Sequence, residues 1–294
     1  MGITSNCAKF LFYARKNGVS FDRSLMLGRQ QLYVTPEEID ELRQLFGIQD
    51  SFKSTDGFAE PLFRTLGAEI IDSIDYSEFE KASIIHDLNT EIPDSSKNKY
   101  TLVFDGGTLE HIFNFPVAIK NCMDSLTLGG HFISIAPTNN QCGHGFYQFS
   151  PELFFSLLSS RHGFRVKFVY LGVDMPRVGI RDWYQIANPE DVKQRVTFSN
   201  DRPAYLMVLA EKISDFSGQL MPYQSDYKLV WDVHDSIQSN KPLSNETKYI
   251  HWYRRYVPTF LKNIVRHVLS KKGKRKNVSL LGNVNPQFFK KIDI

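Results

Sequence analysis

Seven short apolar runs alternate with helix-start signals up to residue 211, and this alternation most constrains the fold. The runs occupy residues 24–27, 68–74, 82–86, 100–104, 131–136, 165–171 and 204–211. Most of them are continuous apolar stretches, which is typical of strands that are covered on both faces. The pattern predicts an α/β fold, namely a Rossmann-like, doubly wound and mostly parallel seven-stranded sheet with helices on both faces.

Helical segments are predicted between these strands. They cover residues 7–16, 36–46, 59–66, 109–126 and 151–158, with a shorter helical turn at 77–80. The sequence Thr35-Pro36-Glu37-Glu38 combines an N-cap, a proline at the first helical position and a capping-box glutamate, and Gly47 ends that helix. We expect a helical segment over residues 1–20, a main domain over 21–215 with an insertion at about 172–203, and a C-terminal extension over 216–294. The last two predicted strands are candidates for an antiparallel pair at one edge.

Cysteine content and hydropathy bear on the compartment. Cys7, Cys122 and Cys142 are an odd set at unrelated spacings without a CxxC pair, which indicates neither a disulfide framework nor a zinc knot. A reducing compartment is the better match. The apolar stretch at residues 8–14 is interrupted by Lys9 and is too short for a membrane span. We therefore expect a cytoplasmic protein.

The basic charge is concentrated in the C-terminal extension. Residues 248–276 contain ten lysines and arginines and no acidic residue, so the rest of the chain carries a net charge of −7 although the total is +3. Apolar and aromatic residues recur there at three- and four-residue intervals, which predicts an amphipathic basic helix. Such a helix either contacts the inner face of an anionic membrane or docks on the rest of the chain, which is acidic. Nucleic acid is a weaker alternative because the charge is confined to one end.

Polar or glycine residues end four of the predicted strands. These residues are Gly28, Asp75, Asp87 and Asp105. In an open parallel sheet the ligand crevice lies beyond the carboxyl ends of the strands. Asp75 could accept hydrogen bonds from a ribose diol and Asp87 from an adenine amino group, with Leu88 as an apolar face for the base. The alternative is that each aspartate only caps a turn or helix.

Three segments add a family resemblance. They are Ile85-His86-Asp87-Leu88-Asn89, Asp105-Gly106-Gly107-Thr108-Leu109-Glu110-His111 and Gly143-His144-Gly145-Phe146-Tyr147-Gln148-Phe149-Ser150-Pro151-Glu152. With them, residues 28–163 resemble class I S-adenosylmethionine-dependent methyltransferases, in particular bacterial members associated with surface glycans and other secondary products. The main domain would then be the methyltransferase domain.

The resemblance implies a cofactor, S-adenosyl-L-methionine, and a role for each strand end. Asp75 would hold the cofactor ribose, and Asp87 with Leu88 would contact the adenine. Asp105 and Gly106 would lie beside the methionine part and the methyl group. The first strand of such enzymes runs into a glycine-rich GxGxG loop, and here Gly28 closes that strand with no further glycine nearby.

The single glycine leaves other functions open. After Gly28 the chain reads Arg29-Gln30-Gln31-Leu32. This departure favours a second hypothesis, a cofactor-binding subunit without catalytic activity. A third is a different nucleotide-utilising Rossmann-like enzyme. The absence of GxGxxG counts against a nicotinamide dehydrogenase, because a pyrophosphate needs close approach to backbone amides at a helix start.

Two histidines are the candidate catalytic residues. Transfer of a methyl group to a hydroxyl requires a base that titrates near neutrality, and His111 and His144 lie in two of the three segments. Each could instead be a structural histidine bonded to backbone. Asp105, Glu110 and His111 could alternatively bind Mg²⁺ or Mn²⁺, but they suit these ions only loosely and our main interpretation contains no metal. We expect the acceptor to be a small molecule, such as a sugar hydroxyl in surface-glycan synthesis, and no nucleic-acid partner.

Overall fold

A nine-stranded mixed β-sheet forms the centre of the protein. The computed structural model describes residues 2–53, 56–175, 179–193, 195–227, 231 and 287–292. Its strands, in chain order, are β1 (Gly2–Ile3), β2 (Arg23–Leu27), β3 (Gln31–Leu32), β4 (Ile70–Asp75), β5 (Ile84–Ile85), β6 (Tyr100–Asp105), β7 (Leu126–Asn139), β8 (Phe164–Met175), β9 (Gly179–Ile186), β10 (Ala204–Lys212) and β11 (Phe289–Ile292). The large sheet has the order β11-β9-β8-β10-β7-β6-β2-β4-β5, and β1 pairs with β3 in a small separate sheet.

The parallel half of the sheet has Rossmann-like topology. Strands β5, β4, β2, β6 and β7 are neighbours, and every pairing among them is parallel. Numbered within this half by chain order, they run 3-2-1-4-5, as in doubly wound dinucleotide-binding sheets. The chain moves outward in one direction from β2 and returns to the other side at β6. The topological switch point therefore lies between the carboxyl ends of β2 and β6.

The predicted strand count of seven is wrong for the described chain. All seven predicted strands are present, but β9 and β11 extend the sheet to nine and make it mixed. Strands β8 and β10 do pair antiparallel, yet they lie inside the sheet, with β10 between β7 and β8. Strand β11 pairs with β9 from a distant part of the chain, a contact that local apolar patterns do not encode, whereas β9 pairs antiparallel with β8, the strand that directly precedes it.

Six helices accompany the strands in the described residues. They are α1 (Ser5–Lys16), α2 (Pro36–Phe46), α3 (Glu60–Thr65), α4 (Phe115–Ser125), α5 (Pro151–Leu157) and α6 (Pro189–Val192). Helix α2 begins with the predicted capping box at Thr35 and ends at Gly47, whose φ of 71° is left-handed. The predicted single helix over 109–126 is wrong. It is divided into a 3-10 turn, Leu109–His111, and α4, because Pro116 can occupy the first turn of a helix but not its interior.

The predicted helical turn at residues 77–80 is also wrong. The segment forms a hydrogen-bonded turn in which the Lys81 N–H donates to the Glu78 carbonyl. Lys81 takes a left-handed φ of 56°, which a continuing helix does not allow. No helix therefore separates β4 from β5.

Two apolar clusters cover the two faces of the sheet. One contains Leu25 and Leu27 of β2 and packs under α4 and α5, and the other contains Met26 of the same strand and packs under α1 and α3. This alternation along one strand is the two-residue period of a β-strand buried on both sides. The described helices contain none long and apolar enough to span a bilayer. The predicted basic helix at 248–276 lies outside the described residues.

Candidate functional site

The loops after β2 and β6 meet at the switch point. Gly28 follows β2 with a φ of 67°, and its N–H donates to the Ile74 carbonyl on β4 at 2.8 Å. The Leu27 carbonyl accepts from Thr108 Oγ1 at 2.7 Å and from Gln30 Nε2 at 2.6 Å. Side chains from both loops are therefore held by the last residue of β2, in the region where this fold binds ligands.

Asp105, the last residue of β6, is a structural anchor of its loop. Its carboxylate is fully buried and accepts from the Thr108 N–H at 2.8 Å, the Leu109 N–H at 3.2 Å and Ser134 Oγ at 2.6 Å. Burial raises the pKa of Asp105, and these hydrogen bonds oppose that rise. Because both carboxylate oxygens accept these hydrogen bonds, Asp105 is not available as a ligand in the alternative metal site of Asp105, Glu110 and His111.

Glu110 is a buried carboxylate of a different kind. Its side chain is only 1% exposed, and within the described residues its Oε2 has no hydrogen-bond partner. Burial, followed by repulsion from Asp105, raises the pKa of Glu110 to about 8. Its Oε1 lies 3.4 Å from His144 Nε2. Glu110 therefore favours the protonated form near neutrality unless a cation approaches it.

The structure brings the two candidate histidines together. The rings of His111 and His144 have centroids 5.0 Å apart in an edge-to-face arrangement, although they come from different loops. Both are exposed, His144 to 49% of its side chain. Partial burial, with His144 as the second cause, lowers the pKa of His111. Glu110, His111 and His144 each offer one atom of a set in which all atoms lie within 4.8 Å of one another.

Backbone hydrogen bonds fix the loop that carries His144. The Glu110 carbonyl accepts from the Phe146 N–H at 2.7 Å and from the Tyr147 N–H at 3.2 Å. Gly145 has a φ of 71°, and a Cβ there would lie 2.8 Å from the same carbonyl oxygen. Only glycine allows this close approach without displacement of the loop. The spacing between His144 and the Glu110–His111 turn is therefore set by the backbone.

The predicted adenosine-binding residues lie at the ends of neighbouring strands. The His86 N–H, next to Asp87, donates to the Asp75 carbonyl at 2.8 Å. One oxygen of Asp75 accepts from the Tyr76 N–H at 2.7 Å, and the other accepts no hydrogen bond from the described residues. One oxygen of Asp87 forms an Asx turn with Asn89, whose hydrogen bonds lower the pKa of Asp87. Each carboxylate thus retains an oxygen that could bind a ligand.

Leu88 and Gly106 occupy more enclosed positions. Leu88 is 6% exposed and belongs to the apolar cluster under α4, so little of its surface is available to a base. A Cβ at Gly106 would lie 2.8 Å from Gln30 Oε1 and 2.9 Å from the Phe104 ring. Gly106 is thus a close-packing position between the loops after β2 and β6, whatever else it contacts.

Two residues of the loop after β2 were not predicted as site residues. Gln30 is fully buried, and its Oε1 has no hydrogen-bond partner in the described chain. Arg29 donates to Glu60 Oε1 at 2.7 Å, to Asp56 Oδ2 at 2.9 Å and to the Glu80 carbonyl at 3.1 Å. The signal for both was their place directly after Gly28, where the resemblance led us to expect further glycines.

An exposed aromatic pair adjoins the histidines. The rings of Phe113 and Phe146 pack edge-to-face with centroids 6.0 Å apart, and they are 73% and 68% exposed. Tyr147 Oη donates to the Phe113 carbonyl at 2.7 Å and joins the two segments. Large exposed aromatic groups of this kind are typical of ligand contacts. Sequence reasoning missed the pair because only the fold brings the two segments together.

Comparison with known proteins gives distant likenesses in structure and none in sequence. No protein-family model matches the chain, and no curated protein matches it. The fold is similar to 1,6-didemethyltoxoflavin-N1-methyltransferase of Burkholderia thailandensis, which was solved with S-adenosylhomocysteine. The identity is 12% over 71% of this chain and 78% of that chain, with a TM-score of 0.40.

Two further solved structures are comparably similar. A S-adenosylmethionine-dependent methyltransferase of Archaeoglobus fulgidus is 12% identical over 71% of this chain and 95% of that chain, with a TM-score of 0.37. The branched-chain polyamine synthase of Thermus thermophilus, solved with N4-aminopropylspermidine and 5'-methylthioadenosine, is 10% identical over 73% and 60%, with a TM-score of 0.36. Likenesses this distant identify neither a family nor a reaction, so the function is argued from the residues of the site.

Proposed function

We propose that the protein is an S-adenosyl-L-methionine-dependent methyltransferase that acts on a hydroxyl group of a sugar or another small hydroxylated acceptor. The observation that carries the proposal is the arrangement at the switch point. Carboxylates that end β4 and β6, with Asp87 just after β5, lie along the same edge of the sheet as a buried glutamate and two histidines. A Rossmann-like sheet binds its nucleotide at this edge.

Residues along the edge fit the parts of the cofactor. The unengaged oxygen of Asp75 suits a ribose hydroxyl, and that of Asp87 suits the adenine amino group. Leu88 contributes at most an edge to the base, because it is largely buried. Gln30 Oε1 is a buried acceptor without a hydrogen-bond partner among the described residues, and it suits an ammonium group near Gly106. When bound, the cofactor supplies a methyl group that is activated by a positively charged sulfur.

The histidine pair is suited to the proton transfer. A hydroxyl acceptor loses a proton as its oxygen bonds to the methyl carbon, while the carbon–sulfur bond breaks and its electron pair stays on sulfur. Because its pKa is lowered, His111 is neutral at pH 7 and can accept a proton. His144 lies close enough to share that role. Alignment of the acceptor with the methyl group supplies most of the remaining rate enhancement.

The exposed aromatic pair supports a ring-shaped acceptor. Phe113 and Phe146 offer apolar surface beside polar groups, and a sugar has both an apolar face and hydroxyl edges. Surface-glycan biosynthesis in the cytoplasm is the setting that we propose for such an acceptor.

A second function is favoured by one observation. Gln30 stands where the resemblance led us to expect a glycine, and its buried side chain adjoins Gly106. A side chain there narrows the approach of a cofactor to the β2 loop. A cofactor-binding subunit without turnover is consistent with that packing.

Calorimetry with the full chain tests the cofactor assignment. We expect heat of binding with S-adenosyl-L-methionine and with S-adenosylhomocysteine, and a Kd at least tenfold higher in Asp75→Asn, which removes a charged acceptor. Asp94→Asn is the matched control, because that carboxylate is 95% exposed and its ion pair in the described part of the chain is with Lys97. Absence of heat in the unsubstituted protein contradicts the proposal and favours a different nucleotide-utilising enzyme.

Turnover separates the enzyme from the non-catalytic subunit. The protein is incubated with methyl-labelled cofactor and with sugars, sugar nucleotides and cell-derived glycans, and incorporation of label is measured. Label in a hydroxyl of one of these acceptors supports the proposal. Cofactor binding without incorporation into any of them supports the non-catalytic subunit.

A further inference from the structure

Glu110, His111 and His144 form a compact group of metal-ligating side chains. Their donor atoms all lie within 4.8 Å of one another, and one pair, Glu110 Oε1 and His144 Nε2, is 3.4 Å apart. Two ligands on a tetrahedral zinc ion, at bond lengths of about 2.1 Å, are about 3.4 Å apart. One pair thus already has this spacing, and rotation of the exposed imidazoles can bring the remaining atoms closer.

The buried carboxylate of Glu110 is the independent sign of a missing cation. It is 99% buried, no lysine or arginine of the described chain pairs with it, and its Oε2 has no hydrogen-bond partner. A charged carboxylate at such a position costs several kcal/mol unless a cation compensates it. Among the described residues His144 is the one basic group that pairs with Glu110, and the His111 ring packs against that of His144.

We propose that Glu110, His111 and His144 bind one divalent transition-metal ion. Two imidazole nitrogens and one carboxylate oxygen suit Zn²⁺, Co²⁺ or a similar first-row ion, whereas Mg²⁺ and Ca²⁺ prefer sites made of oxygen ligands. Three protein ligands leave a fourth position open, as in catalytic rather than structural zinc sites. This ligand set differs from the one suggested by the sequence, because His144 takes the place of Asp105.

The backbone holds the three ligands ready for the ion. Glu110 and His111 share a 3-10 turn, and the loop of His144 is joined to that turn by the two hydrogen bonds to the Glu110 carbonyl. Gly107 contributes space, since a Cβ there would lie 3.2 Å from Glu110 Oε1. Ligands fixed in this way lose little conformational entropy when a metal binds.

The metal would give the two histidines a role other than that of a base. This step rests on the proposed function. An acceptor hydroxyl at the open position has a lowered pKa and releases its proton to water. Its oxygen lone pair then forms the bond to the methyl carbon, and the carbon–sulfur electron pair remains on sulfur. His111 and His144 would act as ligands, so both would be required even where a single base would suffice.

Cobalt spectroscopy on the full chain tests the site. The protein is treated with a chelator, dialysed, and titrated with Co²⁺ while visible absorption is recorded, and Zn²⁺ and Mg²⁺ are then added as competitors. We expect one Co²⁺ per chain with bands of a four- or five-coordinate ion, loss of the bands on addition of Zn²⁺, and no effect of Mg²⁺. No binding, or binding that Mg²⁺ displaces as well as Zn²⁺ does, overturns the proposal.

Substitutions identify the ligands. His111→Ala and His144→Ala should each raise the Kd for Co²⁺ at least 100-fold, and Glu110→Gln at least tenfold. Cys142→Ser is the matched control, because this exposed thiol lies in the same loop, and it should leave the spectrum and the Kd unchanged. Circular dichroism verifies that each variant folds. Unchanged Co²⁺ affinity in either histidine variant, or loss of the bands in Cys142→Ser, contradicts the assigned ligand set.

The outcome can be separated from that of the proposed function. Heat with S-adenosyl-L-methionine but no Co²⁺ binding refutes the metal site and leaves the methyltransferase proposal intact. Co²⁺ binding without heat of binding for S-adenosyl-L-methionine supports the metal site and refutes the methyltransferase proposal. If both Co²⁺ and S-adenosyl-L-methionine bind, chelation should reduce methyl incorporation at least tenfold and Zn²⁺ should restore it. Full activity after chelation would contradict the role of the metal and support the histidines as the base.

Discussion

The loops after β2 and β6 lie side by side at the switch point, yet they differ in how their buried charged groups are compensated. In the β2 loop, Arg29 pairs with Glu60 and Asp56 at 2.7 and 2.9 Å and stacks on the Phe58 ring. In the β6 loop, Glu110 is more deeply buried, and its one charge partner among the described residues is His144 at 3.4 Å. Within the part of the chain that the structure describes, the buried charge of the β2 loop is paired with opposite charges, and the carboxyl group of Glu110 in the β6 loop is paired only with a histidine.

This difference indicates a structural role for the charges of the β2 loop and a binding role for those of the β6 loop. A compensated ion pair such as Arg29–Glu60 holds segments together and gains nothing from a further charge. A buried carboxyl group without a charge partner keeps its proton in the free protein, and it ionises when a cation binds beside it. We therefore assign chemistry to the β6 loop and cofactor-side architecture to the β2 loop.

The largest effect is expected from removal of the anchor of the β6 loop. Asp105→Ala leaves buried N–H groups at residues 108 and 109 and the Ser134 hydroxyl without their acceptor. Because each unsatisfied buried group costs about 1–3 kcal/mol, we expect unfolding free energy to fall by about 4 kcal/mol in urea denaturation. Asp94→Ala, at an exposed carboxylate, should leave the unfolding free energy unchanged within the error of the measurement. A loss below about 1 kcal/mol for Asp105→Ala would contradict its role as anchor.

The second effect is a pH dependence that belongs to the β6 loop. Glu110 has a pKa of about 8 in the folded state and an ordinary value in the unfolded state. Between pH 5 and 8 it is therefore protonated in the folded protein and ionised in the unfolded protein. Folding therefore takes up a proton, and stability falls as pH rises, by at most about 1.4 kcal/mol per unit. We expect a loss of about 3 kcal/mol from pH 5 to pH 8 in chelator-treated protein.

The matched variant for this pH dependence is Glu110→Gln. It keeps the shape of the side chain and removes the titration, so its stability relative to the unsubstituted protein should rise from pH 5 to pH 8. Denaturation at pH 5, 6.5 and 8 measures the difference. Parallel pH profiles for the two proteins would show that Glu110 is not the group responsible.

The sequence predicts the parts of these loops that depend on neighbours along the chain. Continuous apolar runs locate the strands, so Asp75 and Asp105 were recognised as strand ends, and the capping box at Thr35 located α2. The division of the 109–126 helix was foreseeable as well, since Pro116 is visible in the sequence.

Other features depend on contacts between distant segments. The approach of His144 to Glu110 is created by two backbone hydrogen bonds and a left-handed glycine, and no local pattern predicts which loop a glycine-rich turn will contact. Strand β11 was missed for the same reason, because its partner β9 lies far away in the sequence. The burial of Glu110 also follows from tertiary packing, which the pattern of its neighbours in sequence does not predict.

A smaller effect is expected from the glycine that joins the two segments of the site. Gly145→Ala introduces a Cβ 2.8 Å from the Glu110 carbonyl at a left-handed φ, which should cost about 2 kcal/mol in unfolding free energy. The displaced loop should also weaken Co²⁺ binding. Gly143→Ala is the control two residues away, because a Cβ there meets nothing within 4 Å. Equal stability of the two variants would show that the close approach at Gly145 is unimportant.

The smallest effect on stability is expected from a substitution in the β2 loop, where the buried charge is paired. Arg29→Ala removes the ion pairs to Glu60 and Asp56, which join the β2 loop to the start of α3, and the bond to the Glu80 carbonyl in the turn after β4. Since Arg29 is 16% exposed, solvent screens the pairs in part, and we expect a loss of about 1–2 kcal/mol in unfolding free energy.

If the β2 loop is architecture for the cofactor, the same variant should raise the Kd for S-adenosylhomocysteine about fivefold and leave Co²⁺ affinity unchanged. Arg165→Ala, at a 58% exposed arginine that shares Glu211 with Lys167, is the control and should alter neither quantity measurably. Calorimetry and cobalt titration on the same preparations give both values. Equal weakening of cofactor and Co²⁺ binding by Arg29→Ala would mean that the two loops act as one unit, because a clamp confined to the β2 side cannot alter ligands that are anchored on β6.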